Sequence, residues 1–241
     1  IKKAEKSPIK KIPVGMKFNK ESAINVAEFL KPIVTELYRI LKPGSFCLVM
    51  SHARSSHRIG IMLEDCGFEM RDQLIWDYGA GQGKAQSMNN FIRKNKSLTD
   101  EEKIKYINLL DGFKTPQLTP AYETIWLGQK PKDNVFWRNY ISHGVGLVNM
   151  SSGSVSVRFK HKKPSGDERL EGGNHPTQKP ISLFSDLVKT FTKEGDLILD
   201  CFSGSGTTGV AALSCNRHYC GIDISEKYSN GHQMNCEAIK I

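Results

Sequence analysis

Asp196-Leu-Ile-Leu-Asp-Cys-Phe-Ser-Gly-Ser-Gly-Thr-Thr-Gly-Val-Ala-Ala-Leu213 decides how the rest of the chain is read. Leu197 to Leu199 form a short apolar run that closes on Asp200 and is followed at once by glycines, the pattern of a buried strand entering a tight loop. From Thr207 the residues are good helix formers, with Val210, Ala211, Ala212 and Leu213 apolar. A strand, a glycine loop and a helix start bring backbone N–H groups close to a ligand, because glycine has no Cβ in the way. Gly204-x-Gly206-x-x-Gly209 matches a dinucleotide fingerprint, which alone is a weak signal. The next segment strengthens it: His218-Tyr-Cys-Gly-Ile-Asp223 reads as a second strand, ending in an acid placed to hold a ribose diol. No Gly-Lys-Ser/Thr is present, which argues against a nucleoside-triphosphate loop.

After Asp223 only one helix-sized segment remains, Ser225 to Ile241. A nucleotide-binding sheet needs more strands than this unit supplies. Those strands are therefore expected from earlier chain, and the order of the sheet is permuted. The predicted fold class is α/β: a doubly wound, mostly parallel, Rossmann-like sheet with an inserted lobe.

The 241 residues suffice for one large α/β domain with an insertion. Apolar residues make up 39%, mean hydropathy is −0.40, and no run reaches the ~20 apolar residues of a membrane span. Ile1-Lys-Lys-Ala-Glu-Lys has no apolar signal core, so a cytoplasmic location is expected; Ile1 is not Met, so the native start is expected to lie upstream. The six cysteines form no Cys-x-x-Cys pair, which argues for reduced thiols and no metal site. A net charge of +9 suits a polyanionic partner.

In chain order, residues 1–20 hold seven lysines and no apolar period, and read as a basic arm or loop. Glu21 to Leu41 has apolar residues at helical spacing, and Pro32 is expected to kink or split that helix. Phe46 to Met50 reads as a buried parallel strand, Ser51 to Cys66 as a helix, and Phe68 to Tyr78 as another strand. Residues 79–173 are assigned mainly to an inserted target-recognition region. It contains a helix begun by Ser97–Asp100, with Asp100, Glu101 and Glu102 in its first turn and Ile104, Ile107 and Leu110 on its apolar face, and a strand at 122–128 that can instead belong to the main sheet. Trp137 and Tyr140 read as core of that region, ahead of a base-stacking role. Ile181 to Phe191 is a helix, with Pro180 in its first turn. The main domain thus comprises 21–78 and 174–241.

Two segments carry a resemblance. Asp200-Cys-Phe-Ser-Gly-Ser-Gly-Thr-Thr208 resembles the Asp-Pro-Phe-x-Gly-Ser-Gly-Thr-Thr cofactor motif of permuted (beta-group) S-adenosylmethionine-dependent DNA amino-methyltransferases, with Cys201 in place of proline. His175-Pro-Thr-Gln-Lys-Pro180 is similar to the other cofactor motif of that family, and stands just ahead of the glycine loop as it does there. Leu41 to Val49 resembles the strand that follows the family's catalytic segment, and Ser51 to Arg58 and Pro120 to Ile125 are similar to stretches of phage-like members. One departure stands out: the family's catalytic tetrapeptide, Asp/Asn/Ser-Pro-Pro-aromatic, belongs just before the helix at 21–41, and no Pro-Pro occurs in the sequence. A native segment upstream, or a catalytic loop left out, is the expected carrier; the alternative is a non-catalytic paralogue.

The resemblance implies S-adenosylmethionine as cofactor, no metal, and methyl transfer to adenine N6, favoured over cytosine N4, in double-stranded DNA, as in restriction–modification systems. The base would leave the duplex stack to be reached. Gly204, Ser205 and Gly206 would turn against the methionine moiety, with Thr207 and Thr208 offering donors to its carboxylate. Asp200 would orient the amino group, Phe202 line the pocket, and Asp223 take the ribose hydroxyls. His175, Thr177, Gln178 and Lys179 complete the cofactor set, Thr177 and Lys179 closing over the methionine end. Lys84, Arg93, Lys94, Arg138, Arg158, Lys160, Lys162 and Lys163 are the candidate phosphate contacts. Catalytic residues are unassigned, and a homodimer or a methyltransferase partner subunit is a further expectation. Competing readings are a binding-only subunit and, more remotely, a nicotinamide-dependent oxidoreductase, which would leave the His175–Pro180 segment without a role.

Overall fold

The structure is a computed structural model that describes residues 20–81, 83, 85–151, 156–168, 170 and 177–237. It separates into two compact units, one holding Tyr78–Tyr122 and the other the described residues on either side of it.

The larger unit begins with helix α1 (Lys20–Ile40), carrying Glu21 in its first turn and Arg39 in its last. Pro32 neither ends nor splits it. Pro32 and Glu28, the residue whose carbonyl loses its N–H partner, are both exposed, so water can satisfy that carbonyl. The opposite face supplies Val34 to a core with Cys47, Ile59, Met62, Leu63 and Phe68, against which Ala27, Leu30, Tyr38 and Trp126 pack. Ile59, Met62 and Leu63 come from α2 (Ser56–Asp65), whose apolar residues recur at the three- and four-residue spacing of a buried helical stripe. Its start is five residues later than the expected Ser51, because Ser51 still belongs to a strand.

Strands β1 (Phe46–Ser51), β2 (Glu69–Asp77), β3 (Tyr122–Gln129) and β4 (Arg158–Lys160) form one sheet in the order β1-β3-β2-β4. β1, expected to be parallel to its neighbour, runs antiparallel to β3, with Phe46 opposite Gln129 and Ser51 opposite Thr124. β4 runs parallel to β2, and Trp76, 1% exposed, donates its indole N–H to the His161 carbonyl at 2.8 Å. The smaller compact unit, Tyr78–Tyr122, is narrower than the expected 79–173, and β3 and β4 both belong to the four-stranded sheet. α5 (Phe136–His143) also lies in the larger unit. Its Asn139, 1% exposed, donates to the Pro43 carbonyl at 3.0 Å, fixing α5 beside the start of β1. Trp137 is not core: it is 58% exposed, with Arg138 4.9 Å from its ring centroid.

The last third of the chain forms α6 (Ile181–Phe191), β5 (Leu197–Asp200), α7 (Thr207–Ser214), β6 (His218–Gly221) and α8 (Glu226–Glu237). β5 and β6 pair in parallel, Leu197 with His218 through Asp200 with Gly221, and α7 is the crossover between them. α6 buries Leu183, Leu187 and Val188. Its Phe191 meets Phe46 of β1 edge-on at 5.3 Å, which ties this half to the first sheet. Arg217, 7% exposed, donates to the Thr192 carbonyl at 2.8 Å, to the Thr192 hydroxyl at 3.1 Å, and to the Cys215 carbonyl. All three sites for its guanidinium are neutral oxygens, so it stitches the end of α6 to the α7–β6 turn.

The smaller unit carries α3 (Met88–Lys94) and α4 (Asp100–Leu109). α4 starts with a capping box: Thr99 Oγ1 accepts from Glu102 N at 3.2 Å and Glu102 Oε2 accepts from Thr99 N at 2.8 Å. Ile104, expected on the apolar face, is 62% exposed. α4 starts at Asp100, the last residue of the Ser97–Asp100 stretch expected to begin it, and Ser97 bonds Asn95 in the preceding turn. Met88 N to Phe113 O and Thr115 N to Gln86 O close the unit around its two helices.

Candidate cofactor site

The site grows out of the C-terminal end of β5. Asp200 spends both carboxylate oxygens locally: Oδ1 accepts from Phe202 N at 2.9 Å and Oδ2 from the Thr208 hydroxyl at 2.5 Å. The chain then turns through Gly204 (φ 51°) and Gly206 (φ 81°), left-handed conformations that cost a Cβ-bearing residue about 1–2 kcal/mol. Gly206 is the cap residue just before α7, and Thr208 is inside the helix, where its hydroxyl bonds Asp200.

Asp223 closes the loop from the far side. Its Oδ2 accepts from Gly204 N at 2.8 Å and its Oδ1 from Ser225 N at 2.8 Å. The acid expected at a ribose thus also ties the glycine turn to the segment after β6. Ser203 N to Ile222 O and Ile222 N to Asp200 O lace the two strand ends together between these carboxylates. From α8, Asn235 donates to the Ser205 carbonyl at 2.9 Å. Ser203, Ser205 and Thr207 are buried, whereas Phe202 is 52% exposed and stands at the rim.

The third glycine has a packing reason. A Cβ on Gly209 would lie 2.5 Å from Cys236 Sγ and 2.5 Å from Tyr219 Cε1, so α7 can lie close to β6 and α8 only without one. Burial beneath the helix pushes the Tyr219 phenol well up from its ordinary range, with the Asp200 charge adding to the shift. The Cys201 thiol, where the motif has proline, is also raised, first by burial and then by Asp200 and Cys220.

The second expected loop lies against the first. The Thr207 hydroxyl faces the Lys179 carbonyl at 3.5 Å, and Pro180 leads directly into α6, which packs on α7. Gln178 is held from both ends, accepting from Leu170 N at 3.1 Å and donating to the Glu168 carbonyl at 3.0 Å. Thr177 is exposed beside it. The Lys179 ammonium, expected over the methionine end, reaches Glu123 Oε2 at 2.6 Å. Glu123 was not among the residues the motifs single out; only its place in the Pro120–Ile125 stretch marks it. His175 and Lys84 lie outside the described residues.

Of the candidate phosphate contacts, Arg93 and Lys94 are exposed at the end of α3 in the smaller unit. Lys160, Lys162 and Lys163 are exposed on and after β4. Arg158 is engaged by Asp77 Oδ2 at 2.8 and 2.5 Å. Arg138 is exposed on α5, over the ring of Trp137. Gly144, just after α5, accepts from Lys193 Nζ at 3.1 Å, ahead of β5. Among the described residues no group of three or more His, Cys, Asp and Glu side chains is arranged to hold a metal ion, and no helix is long and apolar enough to cross a membrane.

A four-stranded mixed sheet, and a separate parallel β5–β6 pair whose glycine loop is clamped between two carboxylates, make up an α/β, Rossmann-like methyltransferase fold. Residues 12–234 match the N6/N4-type family described as DNA methylase, and the chain belongs to that family. It is 30% identical over 208 residues to the type II methyltransferase M.HindIII of Haemophilus influenzae, covering 81% of this chain and 64% of that protein. To M.HpaI of Haemophilus parainfluenzae it is 29% identical over 202 residues, 83% of this chain and 56% of the relative. The chain thus spans less than two thirds of the length of these relatives. Among solved structures, the M1.HpyAVI–SAM complex superposes with a TM-score of 0.62 over 88% of this chain and 83% of that one, at 21% identity.

Proposed function

We propose that this chain is the cofactor-binding body of a DNA methyltransferase, using S-adenosylmethionine to methylate an exocyclic base amine. The observation that carries the reading is the meeting of two loops, Thr177–Pro180 and Asp200–Thr208, at the start of α7. A bare glycine turn gives no reason for the first loop to be there. The carboxylates fit such a ligand in kind: each is already fixed by backbone or hydroxyl donors, and each oxygen retains a second acceptor position for an ammonium or a ribose hydroxyl.

S-adenosylmethionine would supply an activated methyl group on a sulfonium. The chain's own part is to hold and orient. Asp200 would hold the amino group, Asp223 the ribose diol, and the Thr207 end of α7, where the helix dipole is positive, the carboxylate. Phe202 offers an exposed ring at the rim, and Thr177 and Gln178 border the same end. An exocyclic amine is a weak nucleophile because its lone pair is delocalised into the ring. Its hydrogens need acceptors and its ring a stacking partner, which the family places in a tetrapeptide this sequence does not contain. Catalytic residues therefore remain unassigned.

Double-stranded DNA is the proposed substrate, and adenine N6 is favoured over cytosine N4 as the commoner activity of the resemblance group. Extruding the base costs roughly a few kcal/mol. Arg93, Lys94, Lys160, Lys162 and Lys163 are the phosphate contacts we favour, with the Tyr78–Tyr122 unit as a target-recognition element. The test is nucleoside digestion of DNA treated with the full-length protein and S-adenosylmethionine. N6-methyladenine is expected; N4-methylcytosine alone moves the assignment to cytosine. Cofactor binding without any methylated base would identify a binding-only subunit of a methyltransferase complex.

A further inference from the structure

Lys179 is held at both of its ends. Its carbonyl faces the Thr207 hydroxyl at 3.5 Å, at the first residue of α7. Its ammonium lies 2.6 Å from Glu123 Oε2 on β3 and 5.1 Å from the centroid of the Trp76 ring on β2. Both charged side chains are mostly shielded, with 24% and 22% of their surface exposed, and Trp76 beneath them is buried. The Trp76 indole is itself fixed by its bond to the His161 carbonyl. One residue therefore spans from the start of the cofactor helix to two strands of the other sheet.

We propose that the Glu123–Lys179 pair, seated on Trp76, is a positioning device that sets the start of α7 against the main sheet, and that Lys179 acts through this pair rather than as counter-ion to the cofactor carboxylate. An ammonium compensated by a carboxylate in contact, with an aromatic face below it, presents little net positive charge to a further anion. Moving it onto a ligand would leave Glu123 partly buried and unpaired, which is costly. The geometry agrees, because the part of Lys179 that faces Thr207 is its backbone. Glu123 is accordingly a residue that matters to cofactor binding without touching the cofactor.

The inference rests on S-adenosylmethionine being the ligand, and calorimetry separates the two claims. Full-length wild-type protein, Glu123→Gln, Lys179→Met, Lys179→Arg and the Glu123→Gln/Lys179→Met double variant are titrated with S-adenosylmethionine and with its decarboxylated analogue. Each charge-removing single variant is expected to weaken binding about tenfold, and the double variant no further, as for two residues that act as one unit. Lys179→Arg, which can still pair with Glu123 and lie on the indole, stays within about threefold of wild type. The preference for the carboxylate-bearing ligand is unchanged by Lys179→Met. Should a single variant fail to fold, the double variant, which strands no charge, carries the comparison of the two ligands. Loss of that preference in any variant lacking Lys179, or wild-type affinity in Glu123→Gln, overturns the positioning role. Failure of the wild type to bind either ligand overturns the functional reading itself.

Discussion

Replacing Asp223 by Asn removes one charge and changes few atoms, so its effect isolates what the carboxylate does. Each Asp223 oxygen accepts one backbone N–H at 2.8 Å, from Gly204 and from Ser225. Asn keeps a single acceptor oxygen; if it stays with Ser225, its amide group must face the Gly204 N–H donor to donor. Hydrogen bonds to charged groups contribute about 1.5–3 kcal/mol each, and Asp223 is half-buried, which favours the lower part of that range. A cost of about 2 kcal/mol follows for the lost bond. For a chain of this size that lowers the melting temperature by about 4–8 °C, at roughly 2–4 °C per kcal/mol. Because Gly204 lies in the proposed cofactor turn, affinity for S-adenosylmethionine should fall by about thirtyfold if the same energy is lost from the bound state. Differential scanning fluorimetry and calorimetry read the two effects on one preparation. Wild-type melting temperature together with wild-type affinity would refute both the clamp on the glycine turn and the ribose assignment.

Other consequences are equally open to measurement. Gly209→Ala puts a methyl group against Cys236 and Tyr219, an overpacking that costs about 1–3 kcal/mol; a melting curve identical to wild type would contradict the close approach of α7 to β6. Burial, with smaller contributions from Cys201 and Cys66, pushes the Cys47 thiol from 9.0 up to about 12. The unfolded chain then releases this proton at a lower pH than the folded protein does. Stability from this group is accordingly full below pH 9 and falls by about 1.4 kcal/mol per pH unit as pH rises towards 12. Urea midpoints between pH 8 and 10.5 should fall less steeply in Cys47→Ala than in wild type, and parallel slopes would exclude this thiol as a source of the alkaline sensitivity. Arg217→Met frees the end of α6 from the α7–β6 turn and leaves the Thr192 and Cys215 carbonyls without its donors, so a loss of about 1–3 kcal/mol is expected in urea unfolding. A difference below about 0.5 kcal/mol would show that other groups satisfy those carbonyls.

Much of this fold is legible in the sequence because its decisive features are local. Apolar spacing and Pro180 define α6, and the run from Leu197 through Gly209 defines β5, its loop and α7. The interval from Gly204 to Asp223 marks the acid for a ribose, but its grip on the Gly204 backbone is visible only in the fold. Long-range choices are less visible. Whether β1 pairs in parallel or antiparallel depends on β3, more than seventy residues later. Pro32 is a helix breaker by local rules, yet α1 tolerates it on its solvent face while Val34 and its neighbours pack on α2. Trp137 has core-like composition but lies on the outer side of α5, where Asn139, a polar residue, is the one buried against the β1 turn. The partner of Lys179 is invisible for the same reason. A lysine in a recognisable motif invites a ligand, and only the fold shows that Glu123, far upstream, already occupies its ammonium.

Titration of the purified protein with S-adenosylmethionine and, separately, with NAD bears most directly on the whole account. Saturable 1:1 heat with the sulfonium donor, none with the dinucleotide, and a weaker isotherm in Asp223→Asn is the expected outcome. Binding of the dinucleotide alone would mean that the glycine turn serves hydride chemistry and that the methyl-transfer reading is wrong.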